Sequence, residues 1–362
     1  MLLLNPGPVT LTERVRRSLT LPDLCHRESE FFDLQDEARS RLLAAYSLDP
    51  GQWCAVLMTA SGTGAVESML AALVPKSGRV LVAENGIYGE RIAEICTRYG
   101  IAHVRAAASW TEPLPFDGIR SHLETESAVG TGARFTHVAV VHHETTTGRL
   151  NDLRALGQLC QAHQVSLLVD AVSSFGAEEL DFADSRLAAV AATGGKCLHG
   201  VPGASFVIVR RSALVHAIQR IYSLDLGRLA SLQDQRDTPF TPAVHSYYGL
   251  VEALREFAEQ GGRLARYRRY HALAEQVRLG LAALGIEAVL PAADSSVVLR
   301  AYRLRPGVSY ATLHDGLKAD GFVIYAGQRQ LSQILFRIST MGNLDSSDID
   351  RLLASFRRLL SR

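Results

Sequence analysis

The sequence has few of the features that mark a nucleic-acid-binding, secreted or membrane protein. Its 362 residues carry 38 Lys and Arg against 37 Asp and Glu, so the formal net charge is only +1. This balance gives no electrostatic reason to expect binding to nucleic acid. No apolar run is long enough to cross a bilayer, and residues 1–9 lack the basic leader of a secretion signal. We therefore expect neither a nucleic acid nor a membrane as a partner.

Cysteine is scarce, and its spacing argues against the usual structural uses. The chain has five cysteines, an odd number, with no CxxC pair and no His-rich spacing of the kind that zinc sites use. We therefore predict neither a disulfide framework nor a metal site. A reducing cytoplasm is the compartment that this pattern favours.

The hydrophobic content predicts a large core and two domains. Hydrophobic residues make up 47% of the chain, which is long enough for a domain pair. Two prolines bracket Thr241 in an extended hinge, and helical spacing resumes at residue 246. The predicted division is a large domain of residues 1–245 and a smaller α+β domain of residues 246–362.

Lys196 stands where a buried strand gives way to a turn. Residues 187–192 are small and apolar, and residues 204–209 form a second apolar run after a Gly/Pro turn. Lysine is seldom buried unless paired, and desolvation lowers the pKa of an amine. Lys196 is therefore a candidate for a nucleophile that forms imines with carbonyls. The alternative is a lysine on an exposed loop tip.

Asp170 ends another apolar run, residues 165–169, which is typical of a parallel strand buried on both faces. Ligands of open α/β sheets bind beyond the carboxyl ends of the strands, so this carboxylate is predicted to face a site. An imine-forming lysine and an aspartate that can hold a pyridinium nitrogen are what pyridoxal phosphate requires of a protein. Taken alone, Asp170 is equally compatible with a helix cap or a turn.

A third predicted strand, residues 53–60, runs into Ser61, Gly62, Thr63 and Gly64 and then into helical spacing. Hydroxyls and backbone N–H groups at a helix start suit a phosphate. The same stretch resembles a dinucleotide fingerprint, with Glu84 placed as a ribose-binding acid, but its third glycine is replaced by Glu67. A nicotinamide-dependent oxidoreductase is therefore the alternative from a different class.

Two further strands are predicted to end at the same edge. Residues 79–83 lead to Tyr88, which is either a core aromatic or a ring lying flat on a ligand, and residues 137–142 lead to a turn rich in hydroxyls. Residues 106–132 are weakly patterned, and residues 212–224 have helical spacing. Successive strands that deliver polar groups to one edge predict an α/β fold with a mostly parallel sheet.

Arginines elsewhere admit two interpretations each. Arg337 lies inside an apolar strand of residues 336–339, so it must pair with an internal acid or clamp the carboxylate or phosphonate of a substrate. Arg27 and Glu28 lie in a polar stretch that is either a solvated connector or a contact with a substrate or second subunit. The basic cluster of residues 263–271 is predicted to be the solvated face of a helix.

At this point the chain resembles the fold-type I, class V pyridoxal-phosphate-dependent aminotransferases, most closely the 2-aminoethylphosphonate–pyruvate transaminases. The motifs that carry the resemblance span nearly the whole sequence: NPGPV, DLCHRESEF, SGTGAVES, NGIYGER, HHETTTG, VDAVSSFG, GGKCLHGVPG, GFVIYAG and FRISTMG. It implies a large domain with a mostly parallel sheet and a smaller α+β C-terminal domain.

The resemblance also implies the cofactor and its contacts. Lys196 would hold pyridoxal 5′-phosphate as an imine and then shuttle a proton, while Asp170 would keep the ring nitrogen protonated. The other implied contacts are a phosphate cup, a stacking ring, a partner for the ring hydroxyl and an apolar floor: Ser61, Gly62, Thr63, Tyr88, Thr145 and Val172. Thr241 would reach the phosphate in the neighbouring subunit, which implies a homodimer with a shared active site.

The implied reaction moves the amino group of 2-aminoethylphosphonate to pyruvate, giving phosphonoacetaldehyde and alanine. Arg337 would bind the acidic end of the substrate, with Pro6 and Gly7 nearby. Gly195 departs from the Asn or Gln that relatives carry before the lysine, so one phosphate contact is replaced or lost. Another class V transaminase, of the alanine– or serine–glyoxylate type, is the alternative. A desulfurase is disfavoured because no cysteine follows Cys197.

Overall fold

The computed structural model of this chain describes residues 1–129 and 134–361. Its strands are β1 Leu2–Leu3, β2 Trp53–Ala60, β3 Arg79–Glu84, β4 Ala102–Ala107, β5 Phe135–Val141, β6 His143–Glu144, β7 Arg149–Leu150, β8 Ser166–Asp170, β9 Leu187–Thr193, β10 Gly203–Arg210, β11 Leu299–Arg303, β12 Phe322–Val323, β13 Tyr325–Ala326 and β14 Leu335–Ser339. Its α-helices are α1 Glu13–Ser18, α2 Ser29–Ala44, α3 Gly62–Leu73, α4 Ile87–Arg98, α5 Phe116–Val129, α6 Leu153–Ala162, α7 Arg211–Leu214, α8 Leu226–Asp234, α9 Val244–Glu259, α10 Gly262–Ala282, α11 Tyr310–Ala319 and α12 Ser346–Leu360.

Seven strands form the main sheet, in the order β2–β10–β9–β8–β5–β3–β4. All neighbours are parallel except β10, which runs antiparallel to both β2 and β9. Every residue of β9 is buried. Helices cover both faces, which explains why the inner strands are continuous apolar runs rather than alternating ones. The predicted α/β fold with a mostly parallel sheet is confirmed.

The two faces of this sheet form separate hydrophobic clusters. On one face α2, α6 and α9 contribute Phe31, Leu156 and Leu250. On the other face α3, α4 and α8 pack, with Met69 and Ile92 buried among the strand residues. The strands are therefore held rigidly between two helical layers, and their carboxyl ends keep fixed relative positions.

The C-terminal part is built on a small antiparallel sheet, β11–β14–β13, against which α10, α11 and α12 pack. The division at residues 245 and 246 stays a prediction, and two packing contacts cross it. Leu2 and Leu3 pair in parallel with Phe322 and Val323, so the N-terminal segment joins the C-terminal sheet. Helix α9, in turn, packs in the core of the main sheet.

The predicted helix over residues 212–224 is wrong. Helix α7 ends at Leu214, and from Ile218 onward the segment bonds to α3 instead of continuing the helix. The backbone N–H of Ile218 donates to the carbonyl of Ala72 (2.8 Å), and Arg220 donates to the carbonyl of Ala71 (3.0 Å). Asp225 then starts α8, since its side chain accepts from the backbone N–H of Arg228 (2.9 Å).

The weakly patterned residues 106–132 contain more regular structure than their sequence indicates. They include the end of β4 and helix α5, while residues 130–133 lie outside the described chain. Strand β4 is one of the two edge strands of the main sheet and, unlike β2 at the other edge, is mostly exposed, so it has no continuous apolar run to reveal it. Edge strands commonly lack that signal.

Part of the basic cluster of residues 263–271 is buried, so its assignment as a solvated face is wrong for Arg266 and Arg269. Arg266 is 3% exposed and donates to the carbonyl of Cys197 (2.5 Å). Arg269 donates to the carbonyl of Leu344 (2.5 Å). Arg266 fastens α10 to the loop that carries Lys196, and Arg269 fastens it to the loop that follows β14.

Over the ranges 1–129 and 134–361, no helix combines the length and apolar character needed to span a membrane. The same residues contain no group of three or more His, Cys, Asp or Glu side chains arranged to hold a metal ion.

Candidate active site

The candidate site lies at the carboxyl edge of the main sheet, where the polar residues that follow five strands converge. Strand β8 ends at Asp170, and β9 ends three residues before Lys196. Strand β2 runs into Ser61 at the start of α3, β3 runs into α4, and β5 runs into the turn that contains Thr145. Because these strands are parallel, their ends meet at one edge.

The amine of Lys196 is half-buried beneath the N-terminal segment. It donates a hydrogen bond to the carbonyl of Pro6. Gly7 has φ +116°, and a Cβ added there would overlap the Lys196 amine and lie 2.8 Å from its Cδ, so only glycine fits. Burial lowers the pKa of Lys196, and the charges of Arg91 and Arg337 lower it further while Asp170 opposes them. A larger neutral fraction makes the amine a better nucleophile.

The loop that carries Lys196 is fixed from several directions. The backbone N–H of His199 donates to the carbonyl of Lys196 (2.9 Å). The ring Nε2 of His199 accepts from the N–H of Gly342 (3.0 Å) and lies 2.5 Å from the hydroxyl of Tyr270. Burial lowers the pKa of His199 well below its usual value, so the ring is neutral and can accept. The C-terminal part of the chain therefore positions the lysine.

Asp170 presents a buried carboxylate beside the lysine. The side chain accepts from the N–H of Val172 (2.9 Å), and its own carbonyl accepts from the N–H of His142 (2.9 Å). Burial raises the pKa of Asp170 to about 6, against the hydrogen bond from Val172 and the positive charges of Arg91 and Lys196. At neutral pH the group is mostly ionised in an apolar setting, which suits it to hold a cationic ring nitrogen.

The start of α3 forms a cradle for an anion. Ser61 caps the helix, with its hydroxyl accepting from the N–H of Gly64 (3.3 Å). A Cβ added to Gly62 would lie 2.6 Å from a methyl of Val172, so the helix start and the apolar side chain touch. The hydroxyl of Thr63 accepts from Arg91 (2.9 Å). Hydroxyls and the positive end of a helix dipole are suited to a phosphate monoester.

Glu144 is a buried acid that the sequence analysis missed. It is 0% exposed and accepts from the backbone N–H groups of Tyr88 and Gly89 (3.2 Å each) and from the hydroxyl of Thr146 (2.6 Å). The N-cap residue of α4 is Gly86, which has no side chain to cap the helix. Glu144, on strand β6, supplies the cap instead. Burial raises the pKa of Glu144 to about 7. The sequence shows an acid within the HHETTTG motif, but it does not show that the acid is buried or which helix it caps.

Arg337 is buried without an acid partner among the described residues. Its Nε donates to the carbonyl of Ala326 and its Nη1 to the carbonyl of Thr145 (2.9 Å each). Of the two interpretations that the sequence left open, the internal ion pair is not found in residues 1–129 and 134–361, where the hydrogen bonds of Arg337 go to backbone carbonyls. Burial lowers the pKa of Arg337. Within residues 1–129 and 134–361 Nη2 of Arg337 has no acceptor, so it can bind an anion.

Comparison with known families decides to which protein family the chain belongs. The chain matches the family described as aminotransferase class-V over residues 36–352. The chain belongs to the class V aminotransferases. Its resemblance to that family is thereby confirmed, and the oxidoreductase alternative falls away. Glu84, the proposed ribose-binding acid, is buried and accepts from the Nε of Arg105 (2.9 Å).

Named relatives narrow the comparison for this class V aminotransferase. It is 35% identical to a 2-aminoethylphosphonate–pyruvate transaminase of Bacillus cytotoxicus over 97% of this chain and 96% of that protein. A protein of the same name from Burkholderia pseudomallei is 37% identical over 98% and 95%. Among solved structures, an alanine–glyoxylate aminotransferase from Nostoc sp. superposes with a TM-score of 0.90 at 26% identity, covering 99% and 95%. An aspartate aminotransferase from Thermus thermophilus gives 0.89 at 26% identity, covering 100% and 99%.

Membership in this family implies pyridoxal 5′-phosphate as the cofactor of the class V aminotransferase. The donor set fits it. An amine of lowered pKa and a buried carboxylate of raised pKa lie within electrostatic reach of each other. The cradle at Gly62 against Val172 supplies an apolar floor beside a phosphate-binding helix start. The structure thus brings together Lys196, Asp170 and the residues predicted to surround the phosphate.

Other residues considered as contacts lie away from the cofactor residues of the single chain or bond to protein groups. Thr241 is exposed on the segment before α9, and no hydrogen bond joins it to the other predicted cofactor residues in the described chain. Arg27 is exposed and donates to Asp237 (2.8 Å). His142 is buried against the hydroxyl of Ser174 (3.0 Å), and burial lowers its pKa to about 3.

Gly195, the departure from the family pattern, has a steric reason in this chain. A Cβ added there would lie 3.1 Å from the backbone nitrogen of Pro202. The turn between β9 and β10 is therefore packed so closely that a larger residue would push the 201–202 backbone away. The replacement or loss of one phosphate contact at Gly195 stays a prediction.

Proposed function

We propose that this class V aminotransferase transfers the amino group of 2-aminoethylphosphonate to pyruvate, forming phosphonoacetaldehyde and alanine, and that the reaction is reversible. The observation that carries the proposal is the similarity, at 33–37% identity over nearly full length, to several proteins named 2-aminoethylphosphonate–pyruvate transaminase. Phosphonate metabolism is the setting that this substrate implies.

Arg337 supports a reaction between two anionic substrates. The aminophosphonate and pyruvate each carry a negative group, and they occupy the site in turn. The guanidinium is buried, always charged, and held by two backbone carbonyls, which leaves one nitrogen for a ligand. One fixed cation can therefore orient both the donor and the acceptor.

Two side chains carry the proton chemistry in this proposal. When bound, pyridoxal 5′-phosphate supplies an aldehyde for the amino group and an electron-withdrawing ring. Lys196 would hold that aldehyde, and its neutral amine would move a proton at the substrate carbon. The carbonyl of Pro6 is positioned to hold the released amine. Asp170 keeps a proton on the ring nitrogen.

The functional unit in this proposal is a homodimer with shared active sites. Thr241 completes the phosphate site of the neighbouring subunit, for which its exposure on the single chain is required. The same surface carries Tyr222, 75% exposed, whose ring lies 5.8 Å from that of Phe240. Exposed aromatic residues of this kind are enriched at protein interfaces. All five cysteines are free, which agrees with the proposed reducing cytoplasm.

A single-turnover donor screen tests the substrate assignment. The loaded enzyme is mixed with 2-aminoethylphosphonate, alanine, serine or taurine without an acceptor, and conversion of the bound cofactor to its amine form is followed by absorbance. We expect 2-aminoethylphosphonate and alanine to react, and pyruvate to reverse the change. Reaction with serine and alanine but not with 2-aminoethylphosphonate, reversed by glyoxylate, would assign the alanine– or serine–glyoxylate type instead.

A further inference from the structure

Arg91 is a cation of the site region that no carboxylate neutralises among residues 1–129 and 134–361. Its neighbours differ in this respect. Arg98, two helical turns further along α4, pairs with Glu94 (2.6 Å), and Arg329 pairs with Glu90 (2.7 Å). Arginine cannot shed its proton at accessible pH, so the charge of Arg91 persists and acts on whatever surrounds it.

Two contacts tie Arg91 to residues of the predicted cofactor site. Its Nη1 donates to the hydroxyl oxygen of Thr63 (2.9 Å). This contact occupies a lone pair of that oxygen, so the hydroxyl hydrogen is free to donate to an anion. The guanidinium carbon also lies 4.4 Å from the centre of the Tyr88 ring. A cation against a ring face holds the ring in place by attraction to its quadrupole.

The charge of Arg91 also reaches the two groups that carry the chemistry. It lowers the pKa of Asp170, against the larger opposite effect of burial, and it lowers the pKa of Lys196. Both effects act in the direction that the site needs, since the carboxylate must be charged and the amine neutral. One side chain thus touches the phosphate cradle and the ring and influences the acid and the nucleophile.

We propose that Arg91 is a positioning residue of the cofactor site, which turns the Thr63 hydroxyl into a phosphate donor and braces the Tyr88 ring. The proposal rests on the proposed function, because it takes Thr63 and Tyr88 as cofactor contacts. It assigns to Arg91 a role that acts through its neighbours rather than on the substrate.

The test compares Arg91→Met and Arg91→Lys with Arg98→Met, a matched control that removes an exposed arginine from the same helix. The dissociation constants of pyridoxal 5′-phosphate and of pyridoxal, which lacks the phosphate, are measured on the apoenzymes by fluorescence quenching. We expect Arg91→Met to weaken pyridoxal 5′-phosphate at least tenfold and pyridoxal less. Arg91→Lys should recover part of the loss, and Arg98→Met should stay within twofold of the unmodified enzyme.

A second readout is the pH dependence of the visible absorbance of the bound cofactor, which we expect to shift in Arg91→Met and not in Arg98→Met. Unchanged affinity and an unchanged titration in Arg91→Met would overturn the proposal, as would equal weakening of both ligands. Should Arg91→Met fail to fold, Arg91→Lys decides, because the unmodified affinity in that variant would contradict the role of the planar guanidinium. Binding needs no amino donor, so failure of the substrate assignment leaves this test intact.

Discussion

At the scale of single residues, the site depends on two buried groups whose pKa values are moved toward each other. Burial lowers the pKa of Lys196 and raises the pKa of Asp170 to about 6. Each group compensates part of the shift of the other through its charge. Such a pair, placed at the carboxyl ends of neighbouring strands, is a mark of a reactive site rather than of a structural ion pair.

Gly7→Ala is predicted to damage the site more than the fold. The positive φ costs about 1–3 kcal/mol for any other residue, and an added Cβ would overlap the Lys196 amine. Gly307→Ala is the control, because Gly307 also has a positive φ of 79° but has no atom within 4 Å of an added Cβ. Both variants should lose similar stability in denaturant unfolding.

Only Gly7→Ala should also lose cofactor affinity and transamination rate. Equal cofactor affinity in the two glycine variants would contradict the close contact between the N-terminal segment and the lysine.

Lys196, Asp170 and the cradle at Ser61 could be predicted from the sequence because each follows a recognisable buried strand. Glu144 and Arg91 could not. Their importance comes from partners that are distant along the chain, namely a helix start 55 or more residues away for Glu144 and the hydroxyl of Thr63 for Arg91. Periodicity contains no information about which side chain will cap which helix.

At the scale of elements, the start of helix α4 is held by an acid that belongs to strand β6. Glu144 replaces the missing side-chain cap at Gly86 and thereby fixes the position of the Tyr88 backbone. A Cβ on Gly86 would overlap the Glu144 carboxyl group, so the glycine makes room for this cap. The start of α4 and the turn after β5 are in this way one unit.

Glu144→Gln is predicted to alter the pH dependence of stability. The pKa of Glu144 is raised to about 7 in the folded protein, against 4.5 as its ordinary value. Between these values the folded state binds a proton that the unfolded state has released, so the free energy of unfolding falls as pH rises from 4.5 to 7. Glutamine does not ionise, and the variant should lack this part of the decline.

The measurement is denaturant unfolding of both proteins at several pH values. Relative to the unmodified protein, Glu144→Gln should gain up to about 3 kcal/mol between pH 4.5 and 7. The comparison cancels Asp170, which is present in both. A stability difference that does not change with pH would contradict the raised pKa.

The prediction of helices and strands failed where contacts with neighbouring elements override the periodicity of the sequence. The 212–224 segment has helical spacing, yet Arg220 and Ile218 bond to the end of α3 and hold the chain in an irregular path. Strand β4 lacks an apolar run because most of its residues are exposed at one edge of the sheet. The strands β2, β8 and β9 were predicted well because burial on both faces leaves a continuous apolar signal.

At the scale of the whole molecule, the N-terminal segment links the two parts of the chain. Leu2 and Leu3 add a strand beside β12, and a few residues later Pro6 and Gly7 cover Lys196. Any shift of the C-terminal part is therefore transmitted to the lysine. The sequence could not reveal this connection, because a two-residue strand and a proline-rich turn give no pairing information.

Subunit complementation is predicted for Lys196→Ala mixed with Thr241→Ala. If Thr241 serves the partner's site, each hybrid dimer has one intact site, and random mixing should give about a quarter of the full activity. The assay is transamination after denaturation and refolding together, at limiting cofactor, compared with each variant refolded alone. Activity no greater than half that of Thr241→Ala would show that the threonine acts within its own chain.

The most direct test of the role of Lys196 is to locate the cofactor by reduction and peptide mapping. The chain has three lysines, Lys76, Lys196 and Lys318, so two of them serve as internal controls. After loading with pyridoxal 5′-phosphate, borohydride treatment and digestion, the account predicts the pyridoxyl group on Lys196 alone. Modification of Lys76 or Lys318 in place of Lys196, or of none of the three with cofactor in excess, would contradict it.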